Sequence, residues 1–138
     1  MHLFKGGVSV LIVSTLLCGC IRNRYKPLVV IGRRANGKYL VKVTYHAPSA
    51  RTVYLAGNFN NWTVPRVVDE NRRQDSYYPV YKLKPTGTPG EWGLVLELPP
   101  GMHRYRFYID LSRWEIDERN HLAIREAGGA AYNYVIVK

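Results

Sequence analysis

Cysteine is nearly absent: Cys18 and Cys20 are the only two among 138 residues. Both end an apolar N-terminal stretch, so a fold built from the remainder cannot rest on an internal disulfide. Acidic residues are missing from the entire first half. None occurs before Asp69, whereas ten basic residues do, and from Asp69 onward ten acidic residues face ten basic ones. The net charge of +10 therefore belongs to the N-terminal half, which argues against a basic face spread over the whole fold. No segment has a helical period, no repeat occurs, and no Gly-rich phosphate loop is present. His46, His103 and His121 lack metal-ligand spacing, and Ser49 and Ser112 lack a nucleophile's context. Asp110 and Asp117 could be imagined as a carboxylate pair, but Asp110 reads better as closing a turn, and no second domain is there to build a pocket. These absences argue against an enzyme, a cofactor and a metal centre.

What is present begins with an address. Lys5 supplies a short positive start, and Val8 to Leu17 form an apolar stretch too short to span a bilayer. Leu17-Cys18-Gly19-Cys20 then resembles the lipobox of bacterial lipoproteins. The resemblance implies a signal peptide over 1–19, acylation of Cys20, and a protein lipid-anchored to a membrane of the bacterial cell envelope. Residues 20–38 read as a basic tether, with Arg22, Arg24, Lys26, Arg33, Arg34 and Lys38 placed to meet anionic headgroups or simply to stay solvated. Leu28 to Ile31 within it suit a short first strand.

About 100 residues, 39–138, remain for one core. Tyr39 to Tyr45 alternates, with Val41, Val43 and Tyr45 on one face, and with the strand at Val53 it is expected to form a hairpin through Ala47-Pro-Ser-Ala50. Trp92, Leu94, Leu96 and Leu98 share a face, as do His103, Tyr105, Phe107 and Ile109 beyond the Pro99-Pro-Gly101 turn. Tyr134 to Val137 is expected to close the sheet. Several short strands separated by turn signals describe an all-β, immunoglobulin-like sandwich.

One stretch stands out: Val53-Tyr-Leu-Ala-Gly-Asn-Phe-Asn-Asn-Trp62. It starts as a strand and ends in a turn, in which Gly57 can take a positive φ and Asn58, Asn60 and Asn61 can bond nearby backbone. The turn delivers Trp62, either to the core or to a ligand with a flat apolar face. Together with Glu91-Trp92, Leu98-Pro-Pro-Gly101, Tyr105-Arg-Phe-Tyr-Ile-Asp110, Trp114, Asp117 and the Asn133 strand, it resembles the glycogen-binding modules of carbohydrate-binding module family 48, an early-set sandwich. The resemblance implies a non-catalytic site for α-glucan (glycogen, starch or maltodextrin) formed by Trp62, Trp114, Arg106 and a polar group at Asn133. Arg106 alternates with Phe107 and so should point out of the core. The sequence departs from the family where Asp110-Leu-Ser-Arg-Trp114 replaces a Gly-containing turn, where Tyr132 replaces an Asn, and where Gly128-Gly-Ala-Ala131 lacks a polar side chain.

Two other functions compete with this one. A sandwich that had lost the sugar could hold a protein partner through the inserted loop Val64–Tyr78 and the tyrosines Tyr77, Tyr78 and Tyr81. The basic half could also meet an anionic polymer, although export behind an anchor argues against nucleic acid. Ionic strength separates them, because stacking on a neutral sugar barely responds to salt and a polyanion contact weakens steeply.

If Cys20 is the acylated residue, Cys20→Ala abolishes metabolic palmitate labelling. Labelling that survives the substitution shows that the anchor lies elsewhere.

Overall fold

The computed structural model describes residues 26–66 and 77–138. The signal peptide, Cys20, the first part of the tether and most of the Val64–Tyr78 loop lie outside the described residues. The elements are β1 (Leu28–Arg33), β2 (Tyr39–His46), β3 (Val53–Gly57), a 3-10 turn (Asn58–Asn60), β4 (Tyr81–Lys82), β5 (Lys84–Pro85), β6 (Glu91–Leu98), β7 (Gly101–Ile109), β8 (Arg113–Glu115), β9 (Ala123–Arg125) and β10 (Ala131–Val137). One sheet has the order β1-β2-β6-β5 and the other β4-β3-β7-β10-β9, with β8 also paired to β7. All pairings are antiparallel. The fold is the expected all-β sandwich.

The inward phases read from the sequence face the core, fully buried except for Trp92 and Leu94, which are partly buried against it. Val41, Val43 and Tyr45 of β2 and Leu96 and Leu98 of β6 face Val53 and Leu55 of β3 and Tyr105, Phe107 and Ile109 of β7. Phe107 is the centre: Tyr45 stacks on it across the sheets at 4.0 Å and 18°, and Tyr105 meets it edge-on at 5.8 Å. His103 also points inward, and its Nε2–H donates to the Pro99 carbonyl at 2.7 Å, which ties the β6–β7 crossing.

Two expectations about pairing are corrected. β2 and β3 do not form a hairpin: β2 pairs with β1 and β6, while β3 pairs with β4 and β7, so Ala47 to Ala50 carries the chain from one sheet to the other. The crossing is held by Trp92, whose Nε1–H donates to the Ala47 carbonyl at 3.0 Å, and by the bond from Ala47 N–H to the Gly90 carbonyl. The last strand is longer than Tyr134 to Val137 and is internal, flanked by β7 and β9. The strand suggested inside the tether forms as β1, the edge of the first sheet, with a register shift between Val30 and Gly32.

Leu83 was not legible as core. It sits between β4, which belongs to one sheet, and β5, which belongs to the other, and it is 1% exposed where the chain crosses between them. Its N–H donates to the Val53 carbonyl at 2.9 Å.

Truncating Phe107 to Ala is expected to cost about 3–5 kcal/mol, a large share of a small domain's stability. A urea titration of the variant reads this directly, and an unchanged midpoint would contradict the central place given to this ring.

Candidate functional site

The loop after β3 is built around Asn60, which is fully buried. Its Oδ1 accepts from Gly57 N–H at 3.0 Å, and its Nδ2 donates to the carbonyls of Thr63 and Pro79. Asn58 reaches further, accepting from Arg104 N–H on β7 at 3.0 Å. Gly57 is not glycine for the reason expected. Its φ is −167°, extended backbone open to any residue, but a Cβ there would lie 2.2 Å from the Arg104 carbonyl. Close approach of two strands, not positive φ, demands it. The left-handed residues are Asn61 (φ 51°) and Trp62 (φ 57°). A left-handed Trp costs about 1–2 kcal/mol, and backbone outliers of this kind concentrate where a side chain must be presented.

The turn sets Trp62 over the outer face of β7. There Arg104, Arg106 and Tyr108 share the outward phase. The Arg106 guanidinium lies between two indoles, 5.4 Å from the Trp62 ring and 4.8 Å from the Trp114 ring. Trp114 comes from β8, where it pairs with Tyr108 and leans on that ring at 4.8 Å. Tyr132 tilts against the far side of this group, 6.3 Å from Trp62, with the Arg104 guanidinium 5.1 Å from its own ring. Rings and guanidiniums thus form one row in the order Arg104, Tyr132, Trp62, Arg106, Trp114, Tyr108. Trp114 is 38% exposed and can meet a ligand, whereas Tyr132 is 7% exposed and braces Trp62 from within.

The Asp110-to-Trp114 turn keeps Trp114 on this row without the family's glycine. Asp110 and Leu111 both take positive φ, and Ser112 N–H closes the turn on the Ile109 carbonyl. Asp110 Oδ1 accepts from the N–H groups of Arg51 and Thr52, and these bonds hold its carboxyl below the usual range. Asp110 thus lies in the turn, as expected, but its carboxylate ties the turn to the Arg51–Thr52 segment that leads into β3.

The family model described as the glycogen recognition site of AMP-activated protein kinase matches residues 40–138. The chain belongs to this family. Among curated relatives, AMP-activated protein kinase subunit beta-1 of Homo sapiens and of Rattus norvegicus are each 28% identical over 78 residues. That alignment covers 56% of this chain and 22% of those proteins, so the module spans a minor part of its relatives. Among solved structures, a maltogenic amylase from S. marinus superposes with a TM-score of 0.55 at 24% identity, covering 80% of this chain and 16% of that one. Ferric enterobactin esterase from Salmonella typhimurium gives 0.56 at 14% identity, covering 82% and 35%. At these identities the two structures speak to the fold alone.

Of the four residues assigned to the glycogen-recognition site from sequence, the structure brings together Trp62, Arg106 and Trp114. Asn133 is elsewhere. It is fully buried, its Oδ1 accepts from Asp117 N–H at 2.6 Å, and its Nδ2 donates to the carbonyls of Asp117 and Asn120. Its amide holds the 117–120 turn, leaving nothing to offer a ligand. Tyr108, Tyr132 and Arg104 were not assigned to the site; the alternation that turned Arg106 outward places Arg104 and Tyr108 beside it, whereas Tyr132 depends on how β10 approaches β7.

An open cleft of about 560 Å³ continues from the row, lined among others by Arg106, Trp114, Glu115, Arg119, Arg125 and Gly129. Glu115 accepts from Arg113 Nε and, at 2.8 Å, from the Tyr45 hydroxyl. The Arg113 bond leads in lowering its pKa from the ordinary 4.5. A carboxyl depressed by folding contributes stability that is full above its unfolded pKa and lost as pH falls through its lower folded value. Wild-type stability should therefore decline below about pH 4.5, and Glu115→Gln should flatten that part of the decline in melts taken at successive pH values. Equal acid sensitivity of the two proteins would remove Glu115 from the account.

Proposed function

We propose that this module binds α-glucan on the row formed by Trp62, Arg106 and Trp114, as a recognition element with no chemistry of its own, tethered to the bacterial cell envelope through acylated Cys20. The observation that carries the reading is the Arg106 guanidinium held between the two indoles. Pyranose rings have apolar C–H faces that lie flat on indole, while a guanidinium supplies donors to their hydroxyl rim. The backbone strain at Trp62 fits a side chain set out for a ligand. Tyr77 and Tyr78, 93% and 42% exposed, favour the protein-partner reading as the second choice, although Tyr81 is partly buried against Phe59 and the core.

An open platform recovers only part of the cost of association, so maltoheptaose should bind with a Kd of roughly 10 μM to 1 mM. Trp62→Ala should abolish retention on amylose while the melting transition persists. A wild-type chain that ignores millimolar maltoheptaose would give first place to the protein partner.

A further inference from the structure

The outer face of the first sheet lies across the sandwich from the aromatic row. Register sets Val29, Lys42 and Val95 side by side on it, with Leu40 and Glu97 in the next rank and Lys84 toward the opposite edge. Val29 and Val95 are 39% and 50% exposed, and Val30 and Ile31, at 43% and 53%, continue the apolar surface along the free edge of β1. The charge around this strip is predominantly positive. Glu97 is neutralised by Arg34 at 3.0 Å, and Glu91 stands at the end of β6, accepting from the Thr86 hydroxyl at 2.8 Å. Lys42 and Lys84 are exposed and make no ion pair among the described residues. Lys26 and Lys38, exposed just ahead of β1 and β2, add charge at the two ends of that antiparallel strand pair.

An apolar strip among lysines fits the headgroup layer of an anionic bilayer, where methyl groups enter the interface and ammoniums reach the phosphates. The place of the anchor favours that partner. Lys26 lies six positions after Cys20, a reach of at most about 21 Å even when fully extended. An acylated Cys20 therefore keeps the start of β1 close to the membrane surface. A second copy added edge to edge is disfavoured, because the register shift between Val30 and Gly32 is the kind of irregularity that blunts a sheet edge. We infer that the outer face of the first sheet rests on the anionic lipid surface of the membrane that carries the anchor, which turns the Trp62–Arg106–Trp114 row away from the bilayer. This rests on the acylation of Cys20 proposed above and adds an orientation to it.

Once acylated, the mature chain offers no free thiol, since Cys20 is alkylated and Cys18 leaves with the signal peptide. Single introduced cysteines can then carry a fluorophore, and the test places the acylated chain in phosphatidylcholine vesicles with or without phosphatidylglycerol. The label sits at Val95→Cys, at Val29→Cys or, as a control in the outward phase of β10 on the other sheet, at Ile136→Cys, which is 55% exposed. Quenching by nitroxide-labelled lipid is read at each. In anionic vesicles, quenching at 95 and 29 should exceed that at 136 by about threefold or more. The excess should fall toward the control in neutral vesicles, in about 0.5 M salt and in Lys42→Gln/Lys84→Gln. Val29 and Val95 lie on different strands, so a labelled variant that fails to fold leaves the other to decide. Equal quenching at all three positions, or an excess that ignores lipid charge, overturns the inference and leaves the anchor in place. Shielding at 95 that follows the protein-to-lipid ratio without quenching gives the face to a second copy and also overturns it. A wild-type chain that itself takes up the label has a free thiol, which overturns the acylation reading and the inference together.

Discussion

The alternation of β7 is the constraint on which the rest of the structure depends. Its inward side chains, His103, Tyr105, Phe107 and Ile109, are all buried, and its outward ones include Arg104, Arg106 and Tyr108. Because β3 pairs along one side of it and β10 and β8 along the other, one strand fixes the core register and the placement of every group in the aromatic row. A slip of one residue would send Phe107 to solvent and the Arg106 guanidinium into the core, at the cost of burying an unpaired charge. The sandwich is thereby committed to presenting this surface.

The row itself is an economy of contacts. Arg106 is held by two ring faces and makes no ion pair with a carboxylate among the described residues. A carboxylate partner would have fixed the same side chain just as firmly and removed it from use. Tyr132 serves this arrangement from below: its hydroxyl donates to Glu126 at 2.9 Å and its ring backs Trp62. The residue that departs from the family pattern has become part of the support for the one that defines it.

What could be read from the sequence was what depends on local period and residue type. The inward phases of β2, β6 and β7 follow from strict alternation, and the outward aim of Arg106 follows from the same count. Strand pairing did not follow, because a turn such as Ala47 to Ala50 reads the same whether it folds a hairpin or crosses between sheets; packing decides. Leu83 was invisible because a buried residue flanked by two-residue strands has no period to betray it. Asn133 misled for a different reason: a polar residue near a site looks like a contact until its hydrogen bonds are counted, and all of them turn inward. Gly57 was correctly expected to matter, but steric proximity of the Arg104 carbonyl was the cause, and that distance lies in the tertiary structure.

Asn60 joins Thr63 to Pro79 through one amide, and Leu83 re-enters the core four residues later. This clasp pins the chain at Thr63 and again at Pro79, beside the turn that presents Trp62. The entropy of closing a loop grows only logarithmically with length, so a change in the number of residues between the two carbonyls would cost the clasp little. The register of the surface row thus leans on one buried amide more than on the number of residues between the two carbonyls it joins.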